Sequence, residues 1–206
     1  MPVADSLPSV SVNDTSKSKL NNVKDTLSPA QSYLSWKAAA EKGDMNSQYN
    51  LGLVYEQGLG TAVDLQQAAR WYKKASMQGH AVAAYNLATM AHQGHGMKAD
   101  IKMAKHWYEF AAKKGYLLAQ ASLGFLYATE NTSFTDVKKA VYWFNRAAKL
   151  GHPEAQFNLG MMYSTGRGIE LDYIKAYAWF NVSGFNRYKN AIESRNFAAA
   201  RLTVKQ

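Results

Sequence analysis

Trp71, Trp107, Trp143 and Trp179 stand 36 residues apart, and the same step recurs at other positions. Leu51, Leu87, Leu123 and Leu159 keep it, as do Asp64, Asp100, Asp136 and Asp172, and Ala68, Ala104, Ala140 and Ala176. Gly43, Gly79, Gly115 and Gly151 keep it too. A fixed period of about 20 to 50 residues marks a chain of stacked units, each burying its apolar face against its neighbours. That recurrence restricts the fold more than any composition figure does.

Each unit carries two helical patterns. The first reads YNLGLVY at 49–55, YNLATMA at 85–91, ASLGFLY at 121–127 and FNLGMMY at 157–163. A small residue follows the leucine each time: Gly52, Ala88, Gly124 and Gly160. Glycine inside a helix costs about 1 kcal/mol against alanine, so its return predicts a close helix–helix approach. Gly58, Gly94 and Gly166 are expected as left-handed caps ending this helix. The recurring aspartates are expected as N-caps of the second helix, where a carboxylate accepts backbone N–H groups and meets the positive dipole end. Ala68, Trp71, Tyr72 and Ala75 then form one apolar stripe, and Gly79, Gly115 and Gly151 close the second helix. Pro153 suits the first turn of the helix that follows Gly151.

Four full repeats are expected at about 47–82, 83–118, 119–154 and 155–186. Residues 29–43 read as a half-unit, a single N-terminal capping helix, with Trp36 at the position of Tyr72. A C-terminal capping helix is expected at 188–204, with Ile192, Phe197, Ala200 and Leu202 turned inward. Residues 1–28 have no aromatic side chain and six serines, so a disordered tail is expected there. In the third unit Glu130 and Thr132 replace the two loop glycines; a different turn or a partner-specific contact from Glu130 to Phe134 both fit.

Composition bounds the rest. At 206 residues and 47% hydrophobic, the chain can bury a substantial core. Without cysteine, disulfides and thiolate metal sites are excluded. No apolar run approaches the ~20 residues of a membrane helix. The first ten residues lack the basic start and apolar stretch of an intact signal peptide. A cytoplasmic setting follows from the sequence as given, and a periplasmic or secreted one if a signal peptide was removed. The net charge of +9 favours an acidic partner, nucleic acid or an anionic membrane.

The recurring A-x-Y-N-L-G, Gly-x-Gly turn, Asp, Ala, Trp-Tyr and closing Gly resemble the Sel-one-like repeat family, relatives of the tetratricopeptide repeats. The resemblance covers about residues 30–184. It implies an all-α, right-handed superhelical solenoid that binds proteins or peptides as a non-catalytic adaptor, often in bacterial envelope, signalling or virulence systems. It also implies a concave wall of first helices. Carried onto this chain, the groove positions are Tyr49, Asn50, Leu53 and Glu56, then Tyr85, Asn86, Thr89 and His92, then Phe125, then Phe157, Asn158 and Met161. The asparagines could instead tie neighbouring hairpins, and the aromatic residues could be packing groups.

The histidines and the basic residues bear on two other functions. Catalytic zinc needs about three converging ligands. His92, His95 and His106 are spread over a helix, a loop and the next helix, while His80 and His152 share a repeat position at helix starts. No metal, cofactor or catalytic residue is expected, and no nucleophile or phosphate-loop motif occurs. Cysteine-rich relatives have been linked to penicillin binding, but this chain lacks their cysteines. Nucleic-acid binding would use the lysines and arginines, which lie mainly on second helices without a fixed repeat position. They read as a solvated face.

Overall fold

The computed structural model describes residues 28–129 and 133–203, which hold ten α-helices and no strand. They fall into two compact units, divided between Lys114 and Gly115. The N-terminal unit contains α1 (Pro29–Glu41), α2 (Met45–Gln57), α3 (Leu65–Met77), α4 (Ala81–Gln93) and α5 (Ile101–Lys113). The C-terminal unit contains α6 (Leu117–Ala128), α7 (Val137–Lys149), α8 (Pro153–Thr165), α9 (Tyr173–Phe185) and α10 (Ala191–Thr203). Within each unit every helix packs chiefly on its chain neighbours, as in a helical-repeat solenoid. The expected tail falls on residues 1–27, outside the described residues; Ser28 is the N-cap of α1 and forms a capping box with Gln31.

Local chemistry sets the helix ends. Asp64, Asp100, Asp136 and Asp172 each accept the N3 backbone N–H, at 2.9, 2.9, 3.1 and 2.9 Å. The same aspartates donate their own N–H back to Tyr55, Ala91, Tyr127 and Tyr163. Each second helix is thereby started and fixed to the end of its first helix. Gly58, Gly94 and Gly166 adopt φ near +70° and end α2, α4 and α8. In the third repeat the extended Thr129 ends α6, which is 12 residues long where α2, α4 and α8 are 13. Without glycine at 130 the left-handed cap is lost, and with it one helical residue. Residues 130–132 lie outside the described residues, so the expected contact from Glu130 to Phe134 is not placed.

The second glycine of the turn does different work. A Cβ on Gly60 would strike the Pro29 carbonyl, one on Gly96 the Leu65 carbonyl, and one on Gly168 would lie 2.8 Å from the Val137 carbonyl. Pro29, Leu65 and Val137 all open second-type helices one repeat back. The loop therefore sits directly on the preceding hairpin, and α1 occupies the place of a second helix.

Tight approach also explains the glycine after each leucine. An added Cβ on Gly52 would lie 2.5 Å from Tyr72, and one on Gly160 2.8 Å from Phe180; Gly124 meets Phe144 in the same way. These aromatic residues, with Tyr108, are the deepest rings of the hairpins. The tryptophans beside them are less covered than their period suggests. Trp71 and Trp143 are buried, while Trp107 and Trp179 are only half-buried. In the N-terminal unit Trp71 clusters with Ala40, Leu51 and Val54, and Trp36 joins from α1. An indole thus seals α2 to the capping helix, while the neighbouring phenol closes the hairpin itself.

The C-terminal cap differs from expectation in start and phase. Tyr188 to Asn190 precede α10, and its buried residues are Ala191 and Ala198. Ile192, Phe197 and Ala200 are exposed, and Leu202 is half-buried. Small side chains let α10 lie close to α9, near Gly184, so the larger residues are left outside.

Candidate functional site

In the N-terminal unit the first helices α2 and α4 carry eight of the expected groove residues. The aromatic ones form a layer beneath the surface. Tyr49 is buried, stacked on His80 at 4.4 Å and 6.0 Å from the Tyr72 ring. Tyr85 is buried 5.7 Å from Tyr108, and Leu53 is fully enclosed. These three side chains hold the hairpins together, and a ligand would meet the polar residues around them. Asn50, Glu56, Asn86, Thr89 and His92 are all half-exposed.

Those polar groups reach the deep phenols from above. The Tyr72 hydroxyl donates to Glu56 Oε2 at 2.5 Å. Burial raises the Glu56 carboxyl above its ordinary range, opposed by the Tyr72 bond and by His95 nearby. One repeat on, Thr89 Oγ1 bonds the Tyr108 hydroxyl at 3.2 Å, with His92 6.3 Å from that ring. The Nδ1 atom of His92 is buried without a hydrogen-bond partner, and burial holds the imidazole below its usual value.

In the C-terminal unit Phe125 is buried, edge-on to Phe144 at 5.1 Å. Phe157 is half-exposed between Phe180 at 5.5 Å and Tyr188 at 4.9 Å. Asn158 is buried and donates to the Glu154 carbonyl in its own helix at 2.8 Å. Met161 is half-exposed. Phe157 and Met161 are thus the accessible members of this set.

Sequence reasoning overlooked a buried amide pair. Gln48 donates to the Ala40 carbonyl at 3.2 Å and accepts from Gln78 at 2.7 Å. Gln156 repeats the arrangement with the Ala148 carbonyl at 3.1 Å and Asn186 at 2.9 Å. A glutamine three residues before the signature leucine, at 48, 120 and 156, was the available signal. A second signal was the match between ring and partner: Tyr72 and Tyr108 with Glu56 and His92, but Phe144 and Phe180 with Ala128 and Ser164.

The histidines divide by role. Nδ1 of His80 accepts from Ala83 N–H at 3.1 Å, and Nδ1 of His152 from Ala155 N–H at 3.2 Å, so both are helix N-caps. His106 packs edge-on to Trp107. Among the described residues no three His, Cys, Asp or Glu side chains gather as a metal site, and no helix is long and apolar enough to cross a membrane. The basic second-helix face is solvated, with Lys74 Nζ 3.8 Å from the Trp71 ring centre.

Paired helices, the second of each opened by an N-capping aspartate and reached through a short turn, with polar side chains over an aromatic layer, define a helical-repeat protein. The Sel1 repeat model matches residues 46–80, 81–116, 117–152 and 153–182, and the chain belongs to the Sel1 repeat family. Proteins of this family are generally interaction scaffolds and generally non-catalytic. A solved structure of a protective antigen present in uropathogenic Escherichia coli strains, displaying an SLR fold, is similar. It has a TM-score of 0.76 and 29% identity, over 80% of this chain and 35% of that one. A Sel1 repeat protein from Oxalobacter formigenes gives 0.72 and 34%, over 80% and 48%. The chain thus spans about a third and about half of those two proteins' lengths. None of the curated proteins matches this chain.

Proposed function

We propose that the chain is a non-catalytic adaptor that holds an extended peptide or protein segment along the first helices of its N-terminal unit. The half-exposed groups Asn50, Glu56, Asn86, Thr89 and His92 would contact it there, while Phe157 and Met161 are the accessible groups that the C-terminal unit offers on its own first helix. The observation that supports this best is the buried, unpaired His92 Nδ1 beside Thr89 on that face. A polar atom removed from water without a partner is costly, and a side chain kept there at that cost suits a binding face better than a packing role. Half-exposed amides of Asn50 and Asn86 add donors and acceptors suited to a peptide backbone. The buried Tyr49, Leu53, Tyr85 and Phe125 support the face and fix its shape.

Affinity capture with tagged protein, read by mass spectrometry, tests the proposal. The control is Asn50→Ala/His92→Ala, which changes exposed groups and leaves the aromatic layer intact. A partner retained at about micromolar affinity by the parent and lost by the variant supports the groove. Equal capture by both, with unchanged helicity, removes it.

A further inference from the structure

The second helices of the first three repeats turn mainly lysine, arginine and amide side chains to solvent, whereas α9 exposes Lys175 and Asn181 beside a row of apolar residues. Ile174 stands where the earlier copies have Gln66, Lys102 and Lys138. Phe185 stands at the position of Met77, Lys113 and Lys149, and Val182 at that of Lys74, Phe110 and Arg146. These are not core substitutions: Ile174 is 69% exposed, Val182 42% and Phe185 88%. With Ala178, also exposed, they form a stripe at helical spacing along one side of α9.

The stripe continues onto α10. Ile192 is 55% exposed and lies beside Gly184, and Arg195 Nη1 bonds Asn181 Oδ1 at 3.3 Å. The edge of α10 carrying Ile192 therefore adjoins the outer face of α9. Around it basic side chains outnumber acidic ones. Residues 173–203 hold Lys175, Arg187, Lys189, Arg195 and Arg201 against Glu193 alone. Lys175 is paired with Asp172 at 3.0 Å, while Arg187 and Lys189, in the turn after Phe185, are exposed.

We infer that this face docks onto an anionic lipid surface. The surrounding charge argues against a second copy, since apposed basic surfaces repel. An acidic protein would satisfy the charge, but Phe185 projects almost fully from the helix end and would require a matching pocket. A lipid interface receives a projecting ring at any orientation, and long cationic side chains reach its headgroups while their stems lie along the apolar boundary. Each basic residue held near such a membrane adds attraction.

The test is sedimentation of the full chain with vesicles of phosphatidylglycerol and phosphatidylcholine, and with phosphatidylcholine alone. The parent is expected on anionic vesicles only, with binding falling several-fold as salt rises from about 0.1 to 0.5 M. Phe185→Ser/Ile192→Ser is expected to lose about tenfold or more in partitioning. Met77→Ser, at the same repeat position and 72% exposed, is expected to keep it. Circular dichroism confirms that both variants remain helical. Absence of the parent from anionic vesicles overturns the inference, and so does equal partitioning of the double variant. A concentration-dependent dimer abolished by the double variant, without lipid binding, would assign the face to a second copy. Capture of an acidic amphipathic peptide alone would assign it to a protein.

Discussion

The hydroxyl of Tyr72 donates a hydrogen bond to Glu56 across 2.5 Å, joining the deepest ring of the first hairpin to the polar face above it. One repeat later Tyr108 meets Thr89 and His92, whereas Phe144 and Phe180 have no hydroxyl, and Ala128 and Ser164 hold the repeat positions of Glu56 and His92. Ring and partner thus change together along one chain.

Tyr72→Phe should destabilise the protein by about 1–3 kcal/mol, because the half-buried carboxylate loses its donor. Adding Glu56→Ala, the combination found in the third repeat, should return part of that loss. Urea denaturation of the parent, both single variants and the double variant gives the coupling. Additive effects would deny it. Burial raises the Glu56 carboxyl, so its contribution is greatest below the unfolded carboxyl value and declines as pH rises through the folded one.

Gly52→Ala should be destabilising although alanine is the better helix former. The propensity gain is about 1 kcal/mol. A methyl group 2.5 Å from the Tyr72 ring forces overpacking, typically about 1–3 kcal/mol, so strain wins. The reverse change, Ala88→Gly in the second repeat, should cost about 1 kcal/mol. Thermal melts of both variants check the opposite steric causes.

The turn glycines should separate into two classes. At Gly43 the φ is +98° with open space around the Cβ position, so alanine meets backbone strain alone, about 1–2 kcal/mol. At Gly60 the same change adds a collision with the Pro29 carbonyl. Gly60→Ala should therefore lower the melting temperature clearly more than Gly43→Ala.

Acid should weaken the C-terminal unit through His152. Burial holds its imidazole below the usual histidine value, and Nδ1 must stay unprotonated to accept Ala155 N–H. The unfolded chain takes up the proton first, so stability declines as pH falls below about 6.5 toward the lower folded value. Melting temperatures between about pH 7 and 5 should fall more steeply for the parent than for His152→Asn, which caps without titrating. His92 acts in the same sense, so the variant should remove part of the slope.

The hairpins, their aspartate and glycine ends, and the close pass at Gly52 were all legible from residue order. Caps and turns are settled by hydrogen bonds and φ values within a few residues, and four copies repeat the same local answer. Tertiary structure alone decided that Tyr72, Tyr108, Phe144 and Phe180 lie deeper than the tryptophans, because cover comes from a helix 20 or so positions away. It also decided that Tyr49, Leu53, Tyr85 and Phe125 are packing groups, and that α10 seats Ala191 and Ala198 and leaves Ile192 outside. Periodicity names the helix face but leaves its rotation open. That angle is set by the shape of the neighbour it packs against.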